Sequence, residues 1–247
     1  MATDLKPIQA QKVVLYPTWK EPVEYEVLEL DSIVFIEDEP SNKDEHEWVD
    51  FGLPSGTLWA TCNVGADCPE EYGDYFAWGE TKPKEDYSWE TYLYCEGSFF
   101  TLTKYCTDSS YGYGGHTDSL TELLPEDDAA TVNWGNEWRT PSLEQCMELR
   151  DDNFTTTTWT TLNGTEGIII TSNSNGNSIF LPAARLLIGK EYYDGSPHYI
   201  YGDYWSSTVD AVNPCNAYVT NFAADSIDYS DYRTREVGRS IRPVRKR

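Results

Sequence analysis

From Trp48 onward the chain does not sustain a long helical repeat. Short apolar runs are broken by Gly, Asn and aromatic residues, and that punctuation limits the fold to short strands joined by long loops. One helix stands out. Thr140-Pro141-Ser142 reads as its start, with Thr140 as the N-cap and Pro141 at the first helical position. Leu143, Cys146, Met147 and Leu149 or Arg150 follow at helical spacing. A second, shorter helix is expected around Ser119 to Leu124.

The strand signals are local and strong. Gly167 to Thr171 is an apolar run, Ser172 to Asn177 is all Ser, Asn and Gly, and Ser178 to Leu181 returns; Asn175-Gly176 supplies the positive-φ positions of a hairpin, and Pro182 ends the pairing. Further strands are expected at Tyr204–Thr208, Ala217–Phe222 and Ser240–Val244, with polar loops at 209–216 and 223–238 between them. The class is therefore α+β, with about two helices, short strands and long loops. Residues 1–47 differ from the rest: Val13–Tyr16, the alternation of Val23, Tyr25 and Val27 with acids, and Ile33–Ile36 read as two or three short strands. The acidic stretch Glu37–Glu47, with Pro40, reads as a linker. So short a β-rich appendage buries little surface alone, so it is expected to pack on the main domain (48–247) or pair with a partner chain.

Charge and composition exclude several functions. The formal net charge is −24, which repels phosphate backbones and anionic membranes, so nucleic acid is not expected as a partner. The tail runs the other way: Arg233, Arg235, Arg239, Arg242, Arg245, Lys246 and Arg247 face only Glu236, and this basic end is expected to dock onto the acidic body. No apolar run has the length of a membrane helix. Met1-Ala2-Thr3-Asp4 does not read as a signal peptide; either export does not use that route or the signal has been trimmed, and the second is the expectation. Six cysteines lack CxxC spacing and allow fifteen pairings, among which the sequence does not choose. With three His there is no zinc pattern.

Several motifs in fixed order carry a resemblance. Trp48 to Ala66, Tyr72-Gly73-Asp74-Tyr75-Phe76-Ala77-Trp78-Gly79-Glu80, Trp138 to Ser142, Ile179 to Ala184, Tyr204-Trp205-Ser206-Ser207 and Ser240 to Val244 are very similar to the Fibrobacter succinogenes major paralogous domain family. The resemblance covers about 48–247. It implies a C-type-lectin-like fold related to the formylglycine-generating scaffold, a bacterial source and an extracytoplasmic or cell-surface location. Residues 199–238 also resemble the variable region of diversity-generating-retroelement target proteins, whose C-terminal repeat is rewritten at template adenines.

The resulting candidate ligand-binding residues are Tyr199, Tyr201, Asp203, Asn213, Asn216, Thr220, Asn221, Asp225, Asp228, Tyr229, Ser230, Asp231, Tyr232, Thr234 and Arg235. Tyr supplies rigid amphipathic area, Asn, Ser and Asp supply adaptable hydrogen bonds, and Arg supplies a planar fork. The partner is expected to be a protein or a surface glycan, with neither cofactor nor metal. Trp59, Trp78, Trp138 and Trp205 are expected in the core, and Arg242 is expected to be structural if it meets an interior carboxylate. An enzyme is not expected: no GxSxG occurs, the His are scattered, and Cys215 stands alone where formylglycine-generating relatives use a cysteine pair. The Glu-Pro-Asn, Gln-Pro-Asp and Trp-Asn-Asp signatures of calcium-dependent sugar lectins do not occur. A fixed-specificity adhesin or pilus-tip subunit, docking through the N-terminal strands, is the second reading. A formylglycine-generating-like enzyme is the third.

Overall fold

The computed structural model describes residues 12–15, 23–26, 46–192, 200–224 and 226–247, with backbone alone at 12–15, 23–26 and 226–231. The chain divides into two units, Met1–Asn42 and Lys43–Arg247. In the first, β1 (Lys12–Leu15) and β2 (Val23–Glu26) form an antiparallel pair with Val13 opposite Tyr25. The further strand expected at Ile33–Ile36 and most of the acidic linker lie outside the described residues.

The second unit is α+β. Its first sheet has the order β3-β4-β14-β5, from β3 (Trp48–Asp50), β4 (Thr57–Ala60), β14 (Val244–Lys246) and β5 (Trp138–Arg139). The pairing of Val244 with Trp59 brings the two ends of the unit together. The strand expected at Ser240–Val244 is shifted: only Val244 belongs to it. Before it, Ser240 bridges Tyr204 and the Ile241 and Pro243 carbonyls accept from Val64 and Ala60, so this segment threads the interior as single contacts.

A second sheet stacks β6 (Thr155–Leu162), β7 (Thr165–Ser172) and β8 (Ser178–Pro182). The β7–β8 hairpin forms where the sequence puts it, with Ile170 opposite Ile179 and Gly176 at φ 77°. The Thr-rich β6 has no apolar alternation to announce it. Its hairpin to β7 is set by Asn163-Gly164, at φ 48° and 91°, the left-handed pair a two-residue turn demands.

Helix α1 (Ala129–Trp134) is capped by Asp128, whose side chain accepts from the Ala130 N–H. Helix α2 (Leu143–Leu149) is the expected helix, but its cap is Ser142 and not Thr140. Ser142 and Gln145 form a reciprocal capping box, while Thr140 is engaged elsewhere, its N–H and hydroxyl donating to the Asp128 carboxylate. Cys146 and Leu149 face inward and Met147 faces solvent. The helix expected at Ser119–Leu124 does not form. Glu122 bridges Thr208, and the Leu123 and Val209 N–H groups donate to the Ser207 and Thr121 carbonyls, so this segment lies along a strand edge instead.

A third sheet has the order β11-β12-β13: β11 (Tyr201–Val209), β12 (Asn216–Ala223) and β13 (Ser226–Thr234). The 223–238 loop expectation is corrected here. Most of that segment is β13, which completes the ladder of β12 with a bulge between Val219 and Asn221, and Arg235–Ser240 behind it is buried. A short pair, β9 (Leu187–Ile188) and β10 (Glu191–Tyr192), flanks the sheets. Trp59, Trp78, Trp138 and Trp205 are all buried, as expected. One apolar cluster joins Trp59, Leu149, Ile170, Leu181, Tyr204 and Phe222. Another joins Trp78, Trp134, Trp138, Trp205, Val219 and Ile241. The β11-β12-β13 sheet lies between them, so it has a core on both faces over much of its length.

Candidate ligand-binding surface

Residues directly opposite in an antiparallel ladder point to the same face. Tyr218 is opposite Tyr232, and Asn216 is opposite Thr234. Alternation along β12 puts Asn216, Tyr218, Thr220 and Phe222 on that face, which divides into two halves. Phe222 and Thr220 are buried: the Phe222 ring stacks with Tyr204 at 5.9 Å and lies under the Arg150 guanidinium at the end of α2. Gly202 stands opposite Phe222 because a Cβ there would come within 2.1 Å of the ring. The other half opens to solvent, with Tyr232 47% exposed, Thr234 exposed, and Tyr218 and Asn216 half-buried. Burial, then the Asp210 charge and Tyr232, push the Tyr218 phenol upward, so it stays a protonated donor at neutral pH.

The loop before β12 continues this half. Asn213 donates to Asp210 (3.3 Å) and accepts from the Tyr111 hydroxyl (3.4 Å); Val212 beside it is 77% exposed. Tyr111 packs on Phe100 at 5.7 Å, and Phe100 on Phe99 at 4.0 Å, so an exposed aromatic ridge adjoins the loop.

Three residues assigned to ligand binding from sequence lie inside instead. Arg235 is fully buried: its Nη1 donates to the Tyr105 and Pro214 carbonyls (2.9 Å each), its Nη2 to the Lys104 carbonyl (3.2 Å), and its guanidinium lies 5.2 Å from the Trp78 ring. It clamps the Lys104–Tyr105 segment and the 210–215 loop to the end of β13. Asp203 is buried and accepts from Arg239 Nε at 2.9 Å, with Arg239 stacked 4.3 Å over Trp205. Thr220 is buried beside Cys146. Their polarity served internal hydrogen bonds, which composition alone does not separate from display. Tyr201 and Asn221 are half-buried, with Asn221 opposite Asp203 and Asp228. Asp228, Tyr229, Ser230 and Asp231 lie on β13 by their backbone, while their side chains, together with Tyr199 and Asp225, lie outside the described residues. The residues missed from sequence are Tyr218, Tyr111, Phe100 and Val212. Only Tyr218 was signalled, by its place two positions from Asn216 on the same strand face.

Groups suited to chemistry elsewhere are engaged structurally. Asp127 accepts from the Tyr94 and Tyr105 hydroxyls and from Lys104; burial opposes its charge, but these three donors hold its carboxyl below the ordinary range. Asp128 lines an open cleft of about 790 Å³ with Arg139 and Glu144, and burial raises its carboxyl, yet it is occupied as the α1 cap and by Thr140. All six cysteines are free thiols. Among the described residues no three His, Cys, Asp or Glu side chains converge as a metal cluster would, and no helix is long and apolar enough to cross a membrane. Comparisons with protein-family models, curated proteins and solved structures returned no match.

Proposed function

We propose that this chain is a non-enzymatic ligand-binding protein, displayed outside the cytoplasm, on a C-type-lectin-like scaffold of the Fibrobacter succinogenes major paralogous domain type. The open half of the β12–β13 face and the 210–216 loop form its binding surface, and the gene segment encoding 199–238 is a diversified region. The observation that carries this reading is the pair Tyr218–Tyr232: two amphipathic rings directly opposed on a strand pair, one of them 47% exposed, with the strand end pinned by a buried arginine. Rigid backbone beneath adaptable polar and aromatic side chains lowers the ordering cost of binding. The order of elements also supports the scaffold. Trp138–Ser142 leads into α2, Ile179–Ala184 runs through β8, Tyr204–Ser207 lies on β11, and Ser240–Val244 leads into β14.

Two experiments test this. Arrays of surface glycans and surface proteins probed with the full chain are expected to give a small set of signals that fall at least tenfold in the Tyr218→Ala/Tyr232→Ala variant, with unchanged melting. Signals indifferent to both tyrosines refute the assignment of the surface. Deep sequencing of the 3′ end of the gene across one population is expected to find substitutions confined to adenine-derived codons. A uniform 3′ end removes diversification and favours a fixed-specificity adhesin subunit. The β1–β2 pair is what speaks for that second reading, because a two-stranded sheet is marginal alone and a partner strand would extend it.

A further inference from the structure

Arg242 enters the interior just before β14 and is 2% exposed. Its partners are neutral acceptors: Nε donates to Asn63 Oδ1 at 2.8 Å, and Nη1 to the Ala60 and Thr61 carbonyls at 3.2 and 2.7 Å. Its Nη2 is buried with no acceptor. Trp59, opposite Val244 across the β4–β14 ladder, carries a second buried donor without an acceptor, Nε1. Both side chains line one small void of about 20 Å³, whose wall also includes Arg150, Cys146 and Tyr204. Among the described residues, none that lines it is Asp or Glu.

A void of this size holds one water molecule or one monatomic ion, and is too small for phosphate or sulfate. A water accepts two hydrogen bonds and must donate two in return. Of the hydroxyls that line it, Tyr204 is already committed, donating to the Pro182 carbonyl and accepting from Asn63, and Thr220 is hydrogen-bonded to the Cys146 thiol. Two donors and an uncompensated buried charge therefore meet with little left to receive a proton, and burying a guanidinium without a counter-charge is costly. We propose that this void is a halide site, filled by chloride, with Arg242 Nη2 and Trp59 Nε1 as its ligands. A chloride accepts from both groups, donates nothing, and neutralises the arginine. Desolvation that draws the Arg242 pKa down to about 10 is then relieved. The ion joins β4, β14 and the end of α2 beneath the β11-β12-β13 sheet, so it stiffens the support of the display surface without belonging to it.

The test uses the full chain refolded and crystallised with bromide as the sole halide. Anomalous diffraction at the bromine edge is expected to show an enclosed peak at hydrogen-bond distance from both nitrogens. Bromide at surface positions alone, or a water in the void, overturns the proposal. In solution, melting is compared in sodium chloride and sodium gluconate at equal ionic strength. Chloride is expected to raise Tm by about 4 °C for each tenfold increase above its Kd. Trp59→Phe keeps the ring and removes the N–H, and is expected to weaken that dependence. Equal melting in both salts overturns the site.

Discussion

Asp203 distinguishes two assignments of the same polar alphabet. As a display residue it would contribute to binding and little to stability; in the fold it is the buried partner of Arg239. Its carboxylate accepts from Arg239 Nε at 2.9 Å, both side chains are at most 2% exposed, and the guanidinium is stacked on Trp205. Asp203→Ala leaves that guanidinium in the interior without its counter-charge, which costs about 3–5 kcal/mol. For a chain of this length each kcal/mol moves the midpoint by about 2–4 °C, so Tm is expected to fall by roughly 6–20 °C. Asp203→Asn keeps one acceptor and is expected to lose less. Arg239→Met removes the charge while filling part of the space. In Asp203→Ala/Arg239→Met the loss is expected to be smaller than the sum of the single losses by about 1–3 kcal/mol, because the second change removes the charge that the first exposed. Urea unfolding followed by tryptophan fluorescence reads all four variants, since Trp205 lies against the pair. A stable Asp203→Ala protein with additive single effects refutes the reasoning.

Trp205 is fully buried and its Nε1 donates to the Phe76 carbonyl at 2.8 Å, so Trp205→Ala is expected to cost about 3–5 kcal/mol in urea titration, and a loss under 1 kcal/mol contradicts its core placement. Asp127 has a folded carboxyl below its unfolded value, so its contribution is present above the unfolded carboxylate pKa of about 3.9 and is lost as pH falls through the folded value. The Tm difference between the parent and Asp127→Asn is expected to be flat from pH 7 to 5 and to shrink in acid, and a difference that shrinks as pH rises is the wrong sign. The Cys146 thiol is buried under α2 and pushed up to about 11, so iodoacetamide at pH 8 is expected to leave it intact in the native protein and to modify it after denaturation, as read by peptide mass mapping.

The elements legible in the sequence are those whose signal is local. Asn175-Gly176 and the flanking Ile runs announced the β7–β8 hairpin, and four tryptophans announced the core because their size leaves them few other places. The elements that escaped are set by distant partners. Ser119–Leu124 has a helical composition but lies along the edge of β11, where its backbone groups find carbonyls that a lone helix turn would not have supplied. β13 has no apolar alternation to mark it as a strand; it forms because β12 offers an open edge and the buried residues after it hold its end. The candidate site divides by the same rule. Tyr232 and Thr234 are exposed and Asn213 and Asn216 half-buried, whereas Asp203, Thr220 and Arg235 share their polarity and serve the interior.

The basic C-terminal tail was expected to dock on the acidic body, and its arginines do so in two ways. Arg239 meets Asp203, Arg245 approaches Glu137 at 3.5 Å and Arg247 approaches Asp50 at 3.1 Å, but Arg235 and Arg242 bond to carbonyls or, for Arg242 Nε, to an amide oxygen. Carbonyl partners belong to the backbone, so the clamps at Arg235 and Arg242 keep most of their acceptors whatever side chains occupy the neighbouring positions. Tyr232 and Thr234 are positioned by main-chain ladder bonds and are exposed. Substitutions at such exposed positions ordinarily change stability by no more than about 0.5 kcal/mol. Exposed side chains at the open half of the sheet can therefore change while the fold does not, because the contacts that hold that half in place lie one residue further along, inside.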